Sequence, residues 1–153
     1  MKINYYSRAL ALVFLVLCAV GCSKNPCVPV TGQVLLDGQP LEGASVIFSP
    51  VEAGPEIGSA SAVTDADGNF ELKSSFSTTG IGAVPGDYKV LVKKVEGKWD
   101  GTTTPNPGGE EIKNMSTTDL LPKVYGRVGS TPLSATVTPD GKNHVVLEIS
   151  MKP

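Results

Sequence analysis

The sequence is poor in the residues on which catalysis and metal binding most often depend. Its 153 residues include one histidine, one tryptophan and three cysteines. Cys18, Cys22 and Cys27 fall within a span of ten residues, and residues 28–153 contain none. A disulfide framework across the chain is therefore excluded. The cysteine spacings of four and five residues, with no histidine nearby, fit no zinc pattern. Charged residues make up 18% of the chain, the formal net charge is −2, and no block of like charge occurs. Nucleic acid would call for a basic patch, so it is not an expected partner. Sustained helical periodicity and repeats of 20–50 residues are absent. Gly80-Ile81-Gly82 lies between strand-like stretches rather than before a helix, which argues against a phosphate-binding loop.

The N-terminus carries the clearest signal. Lys2 and Arg8 precede Ala9–Val20, an uncharged apolar run of 12 residues followed by the small Gly21. That is the layout of a cleaved secretory signal peptide, and the run is short for a membrane span. Ala19-Val20-Gly21-Cys22-Ser23 resembles the bacterial lipobox, with Ala19 where leucine is usual. The resemblance implies a signal peptide over 1–21, lipid attachment on Cys22, and a bacterial cell-envelope protein anchored to a membrane. Ser23, rather than aspartate, after that cysteine resembles lipoproteins sent to an outer membrane. Bulky Leu17 before Cys18 does not suit cleavage there. Cys27 alone then remains as a thiol, either inert or able to pair with another molecule. Residues 22–29 form a short lipidated tether. Loss of Lys2 and Arg8 leaves 11 of the 13 basic side chains against 15 acidic ones.

From residue 30 onward, β-branched and aromatic runs alternate with turn signals. Strands are expected at 30–36, 44–50, 59–64, 69–73, 87–94, 133–139 and 144–151. The clearest is 87–94, where Tyr88, Val90 and Val92 alternate with Lys89, Leu91 and Lys93. Asp37-Gly38 and Asp67-Gly68 suit tight turns that need positive φ. The 17 glycines and 12 prolines fit an antiparallel sandwich. One helical turn, capped by Ser116 or Thr117, is expected before Pro122.

Three motifs in order resemble the carboxypeptidase regulatory-like, or transthyretin-like, domain. They are Asp37-Gly38-Gln39-Pro40-Leu41-Glu42-Gly43-Ala44, Thr64-Asp65-Ala66-Asp67-Gly68-Asn69-Phe70, and Pro85-Gly86-Asp87-Tyr88. The match spans about 30–94, and more loosely 120–151. It implies an all-β, seven-stranded antiparallel Greek-key sandwich (prealbumin-like) over 30–153. Such folds host many functions, so it implies little about activity.

Candidate chemistry is sparse. Asp65, Asp67 and Asn69 alternate as calcium ligands would, but Gly68 precedes the third ligand and no later glutamate completes the loop, so a hairpin turn is the preferred reading. His144 stands alone at the head of the last strand. Hydroxyisourate hydrolases of the transthyretin type use more than one histidine and a Tyr-Arg-Gly-Ser ending, whereas this chain closes Ile-Ser-Met-Lys-Pro. No catalytic residue, cofactor or metal site is expected. Residues 95–131 read as a long loop, most mobile at 97–119, that serves as a binding surface or a mobile insertion. Trp99 and Tyr125 are the aromatic binding candidates, with Tyr125 expected to be largely buried. The expected role is a non-catalytic structural, adhesive or binding module whose partner is an envelope protein or glycan. The alternative is a ligand-binding or enzyme-accessory subunit that modulates an envelope partner.

Overall fold

The computed structural model describes residues 26–152, apart from 53, 55, 56, 75, 76, 78, 106, 107, 110, 141 and 142. Cys18, Cys22 and the expected signal peptide lie outside the described residues. The strands, in chain order, are β1 (Val30–Leu36), β2 (Gln39–Pro40), β3 (Ser45–Pro50), β4 (Ala60–Val63), β5 (Asn69–Glu71), β6 (Lys73–Ser74), β7 (Gly86–Lys93), β8 (Val95–Pro105), β9 (Glu111–Asp119), β10 (Ser134–Val137) and β11 (Asn143–Ile149). A 3-10 turn at Lys123–Gly126 is the one helical element among the described residues. No helix there is long and apolar enough to cross a membrane.

The protein is all-β, and its strands form two layers and a separate ribbon. In one layer β1 pairs with β11 on one edge, and with β2 and β5 in succession on the other. The second layer has the order β10-β7-β3-β4-β6, antiparallel throughout. Each expected strand appears, with the 69–73 stretch divided between β5 and β6 around buried Leu72. Side chains alternate inward and outward along a strand, and here the inward set is apolar. Val30 and Val34 of β1, Val46 and Phe48 of β3, Tyr88, Val90 and Val92 of β7, and Leu147 and Ile149 of β11 make the core. Phe48 bridges the layers, with its ring centroid 6.3 Å from Phe70 of β5 and 5.7 Å from Tyr88. Each such buried side chain contributes roughly 1.5–3 kcal/mol.

The turn chemistry explains the hairpins. Asp37 and Gly38 both have positive φ, at 49° and 82°. At Gly68, with φ 73°, an added Cβ would lie 2.6 Å from the Val34 carbonyl oxygen, so glycine is required both for conformation and for close approach. Asp65 Oδ1 accepts from the amides of Asp67 (3.0 Å) and Asn69 (2.8 Å), which closes the same turn. Buried Thr64 accepts from the Ala44 amide at 2.8 Å and donates to the Leu41 carbonyl.

Three features differ from the sequence expectations. First, β1 and β11 run parallel, from Val30↔Asn143 to Leu36↔Ile149. β10 descends antiparallel to β7, and the chain then turns back so that β11 rises beside β1. Alternation of polar and apolar residues cannot distinguish parallel from antiparallel pairing. Second, residues 95–131 are not a long loop: β8 and β9 form a two-stranded hairpin. Its faces are both wet, so the polar/apolar alternation that marks a half-buried strand is missing. Third, Ser116 and Thr117 belong to β9, and the 3-10 turn starts only after Pro122. Proline suits the start of a helical turn, where its missing amide is not needed.

Candidate interaction surface at the distal pole

The sandwich has two distinct poles. At the proximal pole the chain enters the fold: the Val28 amide donates to the Ala83 carbonyl at 2.9 Å, three residues before β7 begins. β1 and β11 also start there, next to the end of β10. At the distal pole β7 ends at Lys93, and Gly126 lies against the Lys93 side chain. There the Ser150 amide donates to the Tyr125 hydroxyl at 3.1 Å, and Ser150 Oγ donates to Asp37 at 2.9 Å. The β8–β9 hairpin springs from this distal pole. Its base is closed by the Leu120 amide, which donates to the Lys94 carbonyl at 2.8 Å.

Within the two strands of the hairpin every residue except Asn114 is exposed. Trp99 pairs with Met115 across the ribbon, and the two are 49% and 56% exposed. Cross-strand partners share a face, so Val95, Trp99, Met115 and Lys113 form one side of the ribbon. Lys113 Nζ lies 5.5 Å from the centroid of the Trp99 ring, a cation–π contact of about 0.5–1 kcal/mol at an exposed site. The register shifts between Trp99 and Thr103, and Trp99 Nε1 donates to the Thr102 carbonyl at 3.0 Å across that irregularity. A polar chain crosses the ribbon: Thr104 donates to Asn114 (2.7 Å), Asn114 to the Thr102 hydroxyl (2.8 Å), and Thr102 to Asp100 (2.7 Å). The hydroxyl and amide of Thr102 together hold the Asp100 carboxyl below its ordinary range. These contacts give the exposed ribbon its shape.

The other sequence candidates fall elsewhere. Tyr125 is buried in the core and its hydroxyl is occupied by the Ser150 amide, so it supports the pole rather than offering a binding ring. Asp65, Asp67 and Asn69 build a turn, and among the described residues no group of three His, Cys, Asp or Glu side chains could hold a metal ion. His144 has Nδ1 3.2 Å from the Thr31 hydroxyl, on an open groove of about 930 Å³ that Glu71 and Lys73 also line. Cys27 is buried at the proximal pole. Burial pushes the Tyr88 phenol up, and Cys27 nearby adds to the shift. The Tyr88 hydroxyl donates to the Val84 carbonyl at 2.7 Å.

The sequence reading missed both the hairpin and a pocket at its base. That pocket, of about 280 Å³, is lined by Lys93, Lys94, Lys123, Arg127, Asp119 and Leu121 among others. A signal for the hairpin was present: β-branched Thr102, Thr103 and Thr104 before Pro105-Asn106-Pro107-Gly108-Gly109, and Ile112 with Thr117 and Thr118 after it.

No family model matches the chain, and no curated protein matches it. Among solved structures, a 9R-lipoxygenase from Cyanothece PCC8801 aligns with 82% of this chain and 16% of its own, at 13% identity and a TM-score of 0.33. A likeness that loose does not define a shared fold.

Proposed function

We propose that the protein is an exported, lipid-anchored module of the bacterial cell envelope, with a non-catalytic structural, adhesive or binding role. The observation that carries this reading is the opposition of the two poles. Val28, six residues after Cys22 in the chain, bonds to the sandwich at the pole opposite the hairpin. An anchor there would hold the proximal pole at the membrane and leave Trp99, Met115 and the edges of the ribbon turned outward. The lipobox-like Ala19-Val20-Gly21-Cys22 supplies the anchor in this reading. A single acyl chain holds only marginally, so stable attachment needs the several chains expected on such a cysteine. In the same reading the sandwich is a seven-stranded, transthyretin-like Greek key to which the hairpin is added, with β5 and β6 counted as one interrupted strand and β2 as part of the turn after β1. Support comes from the three turn motifs, whose glycines Gly38 and Gly68 occupy left-handed turns.

The test is mass spectrometry of the membrane fraction. Wild-type protein should begin at an acylated Cys22, and Cys22→Ser should remain an unprocessed, unlipidated precursor. An intact, unacylated Cys22 in the wild-type membrane fraction would refute the anchor. The groove that holds Thr31, Glu71, Lys73 and His144 favours a second reading, that of a ligand-binding or enzyme-accessory subunit. An accessory subunit should co-purify with one protein at fixed stoichiometry, whereas an envelope module should remain with wall or lipid fractions.

A further inference from the structure

We infer that the outer edge of β8 is a self-recognition strand, which pairs antiparallel with β8 of a second copy about a two-fold axis at Gly97. Three observations lead there: a free edge, the direction of its backbone groups, and the order of its charges. β8 is an edge strand, since its one ladder partner among the described residues is β9. An edge strand of this length is a template for a further strand.

The direction of its free backbone groups follows from the base of the hairpin. The Lys94 carbonyl accepts from the Leu120 amide, so Lys94 bonds toward the β9 side. Backbone groups alternate in direction along an antiparallel strand, and the register is regular from Val95↔Asp119 to Trp99↔Met115. Glu96 and Lys98 therefore also bond inward, while Val95, Gly97 and Trp99 turn their amides and carbonyls outward. Those outward residues match one another under the two-fold. Gly97 faces Gly97, Val95 faces Trp99, and Trp99 faces Val95, each as a hydrogen-bonded pair.

The side chains match as well. Residues 94–100 read Lys-Val-Glu-Gly-Lys-Trp-Asp. About Gly97 the charges are antisymmetric, so Glu96 meets Lys98 twice and Lys94 meets Asp100 twice. Opposite charges directly across a ladder stabilise it, and like charges destabilise it. Charges that serve only to protect an edge from aggregation need no such order. The outer edge of β9 lacks the property: a two-fold at Met115 would set Glu111 against Asp119. The pairing ends at Asp100, where the register shift and left-handed Gly101 (φ 89°) bend the ribbon. Such an interface is isologous and closes as a dimer.

The antiparallel arrangement sets the two sandwiches at opposite ends of the pair. If the anchoring proposed above holds, each dimer would join two facing membrane surfaces, which gives the adhesive role a mechanism. The self-pairing itself does not depend on the lipid.

The experiment is sedimentation velocity of the full-length purified chain in mild detergent across a wide concentration range. Wild-type protein should dimerise reversibly. Glu96→Lys and Lys98→Glu should each weaken the dimer about tenfold or more, because two attractive contacts become repulsive in each. Mixing the two variants in equal amounts should restore a heterodimer, since the lysine introduced in one chain then meets the glutamate introduced in the other. Restoration also excludes misfolding as the cause of the loss. A wild-type chain that stays monomeric, a dimer indifferent to either substitution, or a mixture that fails to associate would each overturn the inference. None of these results depends on Cys22, so failure here leaves the anchoring to be judged by mass spectrometry alone.

Discussion

The sandwich and the hairpin are built from the same kind of strand, yet their side chains meet opposite fates. Across the two layers, Phe48, Phe70, Tyr88 and their aliphatic neighbours are buried against one another. In the hairpin, Val95, Trp99, Ile112 and Met115 are each about half exposed, between 49% and 56%. A two-stranded hairpin in water is marginal unless something else supports it. Here the support is local: the Thr104–Asn114–Thr102–Asp100 chain, the Trp99–Lys113 contact and the closure at Lys94. The buried core contains no side chain of the hairpin, whose own apolar residues are left half exposed.

Substitutions should separate the two regions by the size of their effects. The largest loss is expected at the junction of the layers, where Phe48→Ala should cost about 3–5 kcal/mol by denaturant titration. A smaller loss would place the core elsewhere. Gly68→Val should cost about 1–3 kcal/mol, from a β-branched side chain at positive φ with the Val34 carbonyl in its path. An unchanged midpoint would exclude the left-handed turn.

Tyr88→Phe should cost about 1 kcal/mol at neutral pH, through the unpaired Val84 carbonyl. It also makes a pH-dependent prediction. Burial raises the pKa of the folded Tyr88 phenol, so the folded state favours the protonated form. Its stabilising effect is complete below the unfolded value near 10 and is lost as pH rises through the folded value. The phenol ionises first in the unfolded chain, so above about pH 10 wild type should lose the advantage it holds over Tyr88→Phe at neutral pH, and the two alkaline profiles should converge. Parallel alkaline profiles would contradict the assignment.

The smallest effect on stability belongs to the hairpin. Trp99→Ala should change unfolding free energy by no more than about 0.5 kcal/mol, because an exposed side chain is removed. A cost of about 3 kcal/mol or more would instead mean that Trp99 covers a core.

How much of this was legible in the sequence follows from burial. Strands with a dry face declare themselves: β7 alternates Tyr88, Val90 and Val92 with Lys89, Leu91 and Lys93 because those first three face the core. Turns at Gly38 and Gly68 were legible because positive φ restricts the residue type. The parallel return of β11 was not, since alternation encodes which face is buried and carries no strand direction. The hairpin was also hidden, because strands wet on both faces lack alternation and resemble a loop. Tyr125 was legible as a buried residue but not as a supporting one, since its hydroxyl partner, the Ser150 amide, lies 25 residues away in the chain. The pocket at the hairpin base escaped for a similar reason: Lys93, Lys94, Lys123 and Arg127 are gathered by the 3-10 turn folding back on β7.

The most direct test of the account is removal of the hairpin. Lys94 and Leu120 are already joined by a backbone hydrogen bond of 2.8 Å, so residues 95–119 can be replaced by a short glycine linker without moving either end. Denaturant titration of this variant should give an unfolding free energy within about 0.5 kcal/mol of wild type, as expected for surface changes. A loss of more than about 2 kcal/mol, or failure to fold, would mean that the hairpin is part of the sandwich's stability and would contradict the division into core and presented arm.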